Sequence, residues 1–174
     1  VNLPQVKQNL KSVEESTGAK PALIYVAFFP TGVDAIQGRN SNILPQVDDQ
    51  LELIVITAAG EPIRKQIKGV TRADVDLVAR RFSDSIFYEQ PETLFLPQAQ
   101  QLHKWFIEPI QGQLDTQEID NLVFLMDSGL RTIPLAALHD GEKYLIEDYS
   151  VGLMPSLSLT DTRYQDIKDL GLLA

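Results

Sequence analysis

Two stretches of this chain are apolar on consecutive residues rather than on alternate ones, "ALIYVAFF" at residues 22–29 and "NLVFLM" at 121–126. A strand with one wet face alternates apolar and polar residues, so a β-branched and aromatic run without alternation needs cover on both faces. Both runs are far shorter than the ~20 residues of a membrane helix. They therefore predict inner strands of a layered sheet, with "NLVFLM" placed at its centre. Between and around them the spacing turns helical. Leu3, Val6, Leu10 and Val13 recur at threes and fours, with Pro4 suited to a first turn and Gly18 to a helix end. Val75, Val78, Ala79, Phe82 and Ile86 follow Thr71 and Asp74, which have the form of a capping box. Leu96, Ala99, Leu102, Phe106 and Ile110 form the next stripe, with Pro97 near its start, Pro109 a kink or restart, and Trp105 bordering the face that enters the core.

The remaining segments fill in the sheet. "LELIVIT", "AAGEP" and "IRKQIKG" predict a β-hairpin that lies toward an edge, and residues 30–49 read as a long polar loop. A short strand pair is expected around "KYLIEDYSVGLMP". Ser158 and Asp161 form a second capping box, opening a helix that Gly171 ends. Helices and strands alternate without internal repeats, which predicts an α/β layered domain.

Charge and composition narrow the function. Twenty-four acidic residues against fifteen basic ones give a net charge of −9, which argues against a nucleic-acid surface because phosphate binding relies on clustered cations. The basic residues between Arg64 and Arg81 alternate with Glu61, Asp74 and Asp76 and read as a solvated mixed face. The chain has no cysteine, hence no disulfide framework and no thiol nucleophile. No apolar signal core opens the sequence, so a soluble, cytoplasmic chain without a membrane partner is expected. Its 174 residues suit a single domain, 1–174. The opening valine and the end at "DLGLLA" suggest a segment of something longer.

Chemistry-bearing residues are few. In "FLMDSGLRTIPLAAL" Ser128 sits on a strand-to-helix turn, where a nucleophile could project. The flanking glycines of a G-x-S-x-G elbow are missing, Met126 and Leu130 standing in their places. Asp127 adjoins Ser128 and His139 lies beyond the next short helix, whereas a triad needs its members to converge from separate places. The structural reading of the turn explains every residue: Gly129 supplies an unusual backbone angle, Asp127 or Ser128 accepts hydrogen bonds from the following amides, Pro134 keeps the helix short, and Leu130, Ile133, Leu135 and Leu138 return to the core. The two histidines, His103 and His139, have no second ligand at helical spacing, so no metal site is expected. "HDGE" at 139–142 is a turn signal, and His103 beside Lys104 reads as solvated. No glycine-rich phosphate loop occurs and the carboxylates are scattered, so neither a nucleotide cofactor nor a carboxylate pair is proposed.

The stretch "LVFLMDSGLRTIPLAALHDGEKYLIEDYSVGLMPSLSL" resembles the first half of a CHAT domain, a caspase-like, separase-related domain often found behind tetratricopeptide repeats. Asp127 stands at the family's Pro-Asp-Gly aspartate, Leu130 at its leucine, Ile133-Pro134-Leu135 at Leu-Pro-Phe, and Leu138 at the next leucine. Tyr144-Leu145, Glu147 and Pro155-Ser156 follow. Met126 replaces the proline, Ser128 the glycine and Leu135 the phenylalanine. The resemblance implies a layered caspase-like sheet with flanking helices and a β-hairpin, incomplete in this chain. The family is regarded as cysteine peptidases whose histidine lies in a His-Gly motif and whose cysteine lies in a later Ala-Cys motif. Neither motif is here, because His139 precedes Asp140 and no cysteine is present. With thiolate and base both absent, the chain has no catalytic residue of its own for that reaction. The expected function is the N-terminal half of a CHAT-type peptidase domain, supplying sheet and scaffold but not the His-Cys dyad; the alternative is a non-catalytic interaction or regulatory module. Expected partners are proteins: the downstream half of the domain, tetratricopeptide repeats, or a peptide substrate. An exposed apolar strand edge is expected to favour association.

Overall fold

A computed structural model describes residues 2–30 and 45–155. Within them a five-stranded mixed sheet runs in the order β3-β2-β1-β4-β5 and is flanked by helices, the α/β layered class expected. The long loop at 31–44 and the helix with its Ser158–Asp161 capping box lie outside the described residues.

The first helix, α1 (Leu3–Thr17), opens where the Asn2 side chain accepts the Gln5 N–H at 3.0 Å. It closes at Gly18, whose φ of 76° is the left-handed conformation that glycine adopts without strain. Strand β1 (Pro21–Phe29) follows, then the hairpin of β2 (Gln50–Thr57) and β3 (Ile63–Thr71). Helix α2 (Arg72–Phe87) starts on the expected box: Asp74 N–H donates to Thr71 Oγ1 at 3.3 Å and Thr71 N–H to Asp74 Oδ2 at 2.9 Å. Helix α3 (Glu92–Phe106) begins five residues before Pro97, which sits inside it rather than near its start. The chain breaks after Phe106 into a 3₁₀ turn, Glu108–Ile110, and restarts as α4 (Gln111–Thr116). Pro109, which cannot donate a helical hydrogen bond, lies at that break.

Strand β4 (Asn121–Met126) pairs in parallel with β1 on one side and with β5 (Ser150–Leu153) on the other. The middle position predicted for β4 belongs instead to β1, which takes the hairpin on its other edge. The strand pair expected around "KYLIEDYSVGLMP" is only half present. Glu147 Oε1 accepts the Tyr144 N–H at 2.7 Å and closes a helical turn, α5 (Leu145–Asp148). Tyr144 is left with an isolated bridge to His139, and only the second half becomes a strand.

Alternation along the inner strands divides the core in two. On one face Ile24, Val26, Leu53, Leu122, Phe124 and Met126 meet α2 and α3 through Phe82, Leu102 and Phe106. Trp105 packs at the border of this layer. On the other face Leu23, Ile56 and Leu125 meet Val6 and Leu10 of α1. The outer strand β3 exposes Arg64, Lys65, Gln66 and Lys68, a charged edge of the kind that discourages further pairing. No helix among the described residues is long and apolar enough to cross a membrane.

Candidate functional site

The C-terminal ends of β1 and β4 lie side by side where the chain order reverses, with the hairpin to one side and β5 to the other. In open α/β sheets such a switch point is where ligand crevices form. Asp127 stands there. Its N–H donates to Val26 O at 3.2 Å, and its carbonyl accepts from Leu130 N–H at 2.9 Å to close the 3₁₀ turn Ser128–Leu130. Leu130, Ile133, Leu135 and Leu138 are all buried, the return to the core expected from the sequence.

Two details of this turn differ from the sequence reading. Gly129 has no positive φ, so it is not there for a conformation denied to other residues. A Cβ on it would meet only Asp76 Oδ1, at 3.7 Å. Nor does Asp127 cap the turn with its side chain. Its carboxylate accepts instead from Arg72, with Nη1 to Oδ1 at 3.2 Å and Nη2 to Oδ2 at 3.3 Å. The guanidinium lies over the Phe28 ring, 4.4 Å from its centroid, a geometry that favours a planar cation. Its Nε is buried without a hydrogen bond, 3.8 Å from Asp49 Oδ2, while the Arg72 backbone N–H donates to Asp49 O at 2.8 Å. Arg72 is thus a packed strut between α2, β1 and the end of β4, not part of the solvated mixed face read between Arg64 and Arg81. Arg64 is also committed, to the buried carboxylate of Glu52.

His139 has other neighbours. It is buried, its Nδ1 accepts the Gly141 N–H at 2.9 Å, and its ring meets Tyr144 edge-on at 4.8 Å. Asp140 Oδ1 accepts from the N–H groups of Glu142 and Lys143 at 2.7 and 2.8 Å, which holds the Asp140 carboxyl below its ordinary range. Gly141, at φ 115°, completes the turn that "HDGE" predicts. Asp127 is bound to α2 and His139 to its own turn beside α3, where its N–H approaches Ala99 O at 3.5 Å. The structure does not assemble Asp127 and His139 as parts of one catalytic unit.

His103 is half-buried rather than solvated. Burial pushes its pKa below the ordinary 6.5, and the neighbouring His139 adds to this while Asp140 and Glu108 oppose it. It lines a cleft of about 620 Å³ with Glu108, Gln111, Asp115, Asp140 and Tyr149. Gln111 Nε2 bridges Asp115 Oδ1 at 2.7 Å and the Tyr149 hydroxyl at 2.8 Å. Among the described residues no group of three or more His, Cys, Asp and Glu side chains is arranged to hold a metal ion. Arg72 is the residue that sequence reasoning missed: its partner lies 55 positions away, and nothing local distinguishes it from the other cations of α2.

Residues 96–171 match the family model of the CHAT domain. The match runs from α3 through Asp127, the buried return and β5, and so contains the stretch on which the resemblance was read. It points to a caspase-like, peptidase-related family. No match was found among curated proteins or among solved structures.

Proposed function

We propose that this chain is the N-terminal half of a CHAT-type, caspase-like cysteine peptidase domain, supplying sheet and scaffold while a downstream portion supplies the His-Cys dyad. The observation that carries the reading is the CHAT match over 96–171, which falls on a parallel β4–β5 pair whose last strand has, among the described residues, no partner on its outer edge. A further parallel strand could add at β5, next to the C-terminal ends that Asp127 and Arg72 brace. The protein partners that fit are that downstream half, attached tetratricopeptide repeats and a peptide substrate, in a cytoplasmic setting. Because the sequence lacks cysteine, the isolated chain fits the second reading, a non-catalytic interaction or regulatory module.

The test is to read the roughly 150 residues that follow in the parent gene, a length typical of one domain's worth of chain, and to co-express them with this segment. A His-Gly and an Ala-Cys motif, with peptide hydrolysis that an alkylating agent abolishes, are the expected result. If both motifs are missing, the peptidase reading fails and the interaction module stands. Hydrolysis by the isolated chain would contradict both readings.

A further inference from the structure

Helix α2 buries Val75, Ala79 and Phe82, and its opposite face is open. Along that face Leu77, Arg80, Arg81, Asp84, Phe87 and Tyr88 are all exposed. They recur at threes and fours and so form one stripe. Leu77 is 51%, Phe87 79% and Tyr88 69% exposed. Single exposed apolar side chains are ordinary, whereas three on one stripe mark a surface that takes a partner. The two aromatic rings meet edge-on at 5.1 Å, and the helix end that carries them is held in place. Tyr88 N–H donates to Asp84 O and Gln90 N–H to Ser85 O, both at 2.9 Å. To make that cap Glu89 takes a left-handed φ of 50°, a conformation that is costly for a residue with a Cβ. The aromatic pair is a fixed projection, not a frayed end.

The order of side chains along the stripe identifies what fits it. From Leu77 to Tyr88 it reads apolar, basic, acidic, apolar, and a reversed copy reads apolar, acidic, basic, apolar. An antiparallel second copy, in the register that sets Leu77 against Tyr88, therefore also sets Arg81 against Asp84, and it makes each contact twice. Among the described residues the side chains of Arg80, Arg81 and Asp84 make no ion pair of their own, although Arg80 and Asp84 stand four apart on one helix, so both signs are available. A hollow of about 220 Å³ lies beside the stripe, lined by Asp76, Ala79, Arg80, Ser83 and Gly129 among others. Asp76, Arg80, Ser83 and Phe87 fall in one row at helical spacing, which puts the hollow on the flank that carries Phe87. A two-fold axis keeps equal flanks together, so it brings the Phe87 of the second copy to that hollow. Two copies of a chain with net charge −9 repel one another over most of their surface, but residues 77–88 hold two cations and one anion. Four aromatic rings at ~150–250 Å² each supply roughly half or more of the ~1,200 Å² at which specific interfaces begin, which fits a reversible dimer.

We propose that α2 docks antiparallel on the α2 of a second copy, with Leu77 against Tyr88, Arg81 against Asp84 and Phe87 in the hollow beside Arg80, to form a reversible two-fold dimer. Sedimentation equilibrium of the full chain from about 10 µM to about 1 mM, the range of weak association, is expected to show the mass rising from monomer toward dimer. Arg81→Glu and Asp84→Arg are each expected to weaken the dimer about tenfold, because each sets like charges opposite one another twice. An equimolar mixture of these two variants is expected to regain the native association, since in the mixed pair both contacts again join opposite charges. Phe87→Ser is expected to abolish it. All three positions are exposed, and helical circular dichroism checks that the variants remain folded. A mass that stays monomeric across the range overturns the proposal and leaves the stripe to a different protein. A dimer that none of the three substitutions weakens also overturns it, by placing the interface elsewhere. A mixture that associates no better than its components overturns the antiparallel register.

Discussion

Arg72, the first residue of α2, holds both carboxylate oxygens of Asp127, the first residue after β4, at 3.2 and 3.3 Å. The pair joins a helix to a strand end across 55 residues of sequence, and both side chains are largely withdrawn from solvent. Removing one partner of such a pair strands the other charge, whereas replacing both by apolar groups is often nearly neutral. Asp127→Ala is expected to destabilise the fold by about 2 kcal/mol, scaled down from a fully buried pair because the carboxylate is partly wet. Arg72→Met combined with Asp127→Leu is expected to regain most of that loss. Urea denaturation of the single and double variants measures it, and an additive outcome would mean that the two side chains act independently.

The two layers of the core predict unequal costs for adjacent residues. Phe124 is fully buried under α2 and α3, while its neighbour Leu125 faces the thinner α1 side. Phe124→Ala is expected to cost about 4 kcal/mol and Leu125→Ala about 2 kcal/mol, near the upper and lower ends for large-to-small core changes. Thermal and denaturant unfolding of the two variants compare them directly.

The cap of α2 ties stability to acid. Hydrogen bonds from Thr71 hold the Asp74 carboxyl below its ordinary 3.8. A depressed carboxyl stabilises the fold above its unfolded pKa, and that contribution is lost as the pH falls through the folded value. Thr71→Ala is expected to cost about 1 kcal/mol at neutral pH and clearly less in acid well below pH 3.8, as protonation removes the carboxylate charge that the Thr71 hydrogen bonds stabilise. Denaturation curves at the two pH values give the difference.

His103 produces the same sense of pH dependence at a higher pH. Its folded pKa lies below 6.5 because burial disfavours the imidazolium, so the unfolded chain binds the proton first. The contribution is complete above pH 6.5 and declines as the pH falls from there through the lower folded value. His103→Gln is expected to flatten the stability profile in that interval, and a profile unchanged from the native one would show that the imidazole is not titrating out of step with the unfolded chain.

Much of the fold was legible because its signals are local. Gly18, Thr71 and Asp74 mark helix ends through geometry within a few residues, and the unalternating runs around Ile24 and Phe124 correctly announced inner strands. What escaped was relational. Whether β1 or β4 takes the middle depends on which edges pair, a choice that two equally apolar runs do not encode. Residues 144–148 carry strand-forming side chains, but the Glu147 carboxylate on the Tyr144 N–H closes a turn instead. At the switch point, Asp127 and Gly129 read as a self-contained bend, yet the carboxylate is occupied by a guanidinium from another element. The burial of His103 likewise depends on the 139–144 turn folding back onto α3, which no spacing within α3 records.

The central place of β1 also sets an order of assembly. Its pairing with β2, and that of β2 with β3, draw on residues 21–71, whereas the other edge of β1 waits for β4, with Pro21 opposite Asn121. Pairings so distant in sequence form late, after a large loop-closure cost. While the chain emerges from the ribosome, a three-stranded sheet can stand complete with the apolar edge of Ala22, Ile24 and Val26 unpaired until residue 126 has been made. That interval is when the protein is most exposed to mispairing, and a chaperone or a slowed ribosome acting between residues 71 and 126 would alter its folding yield more than one acting later.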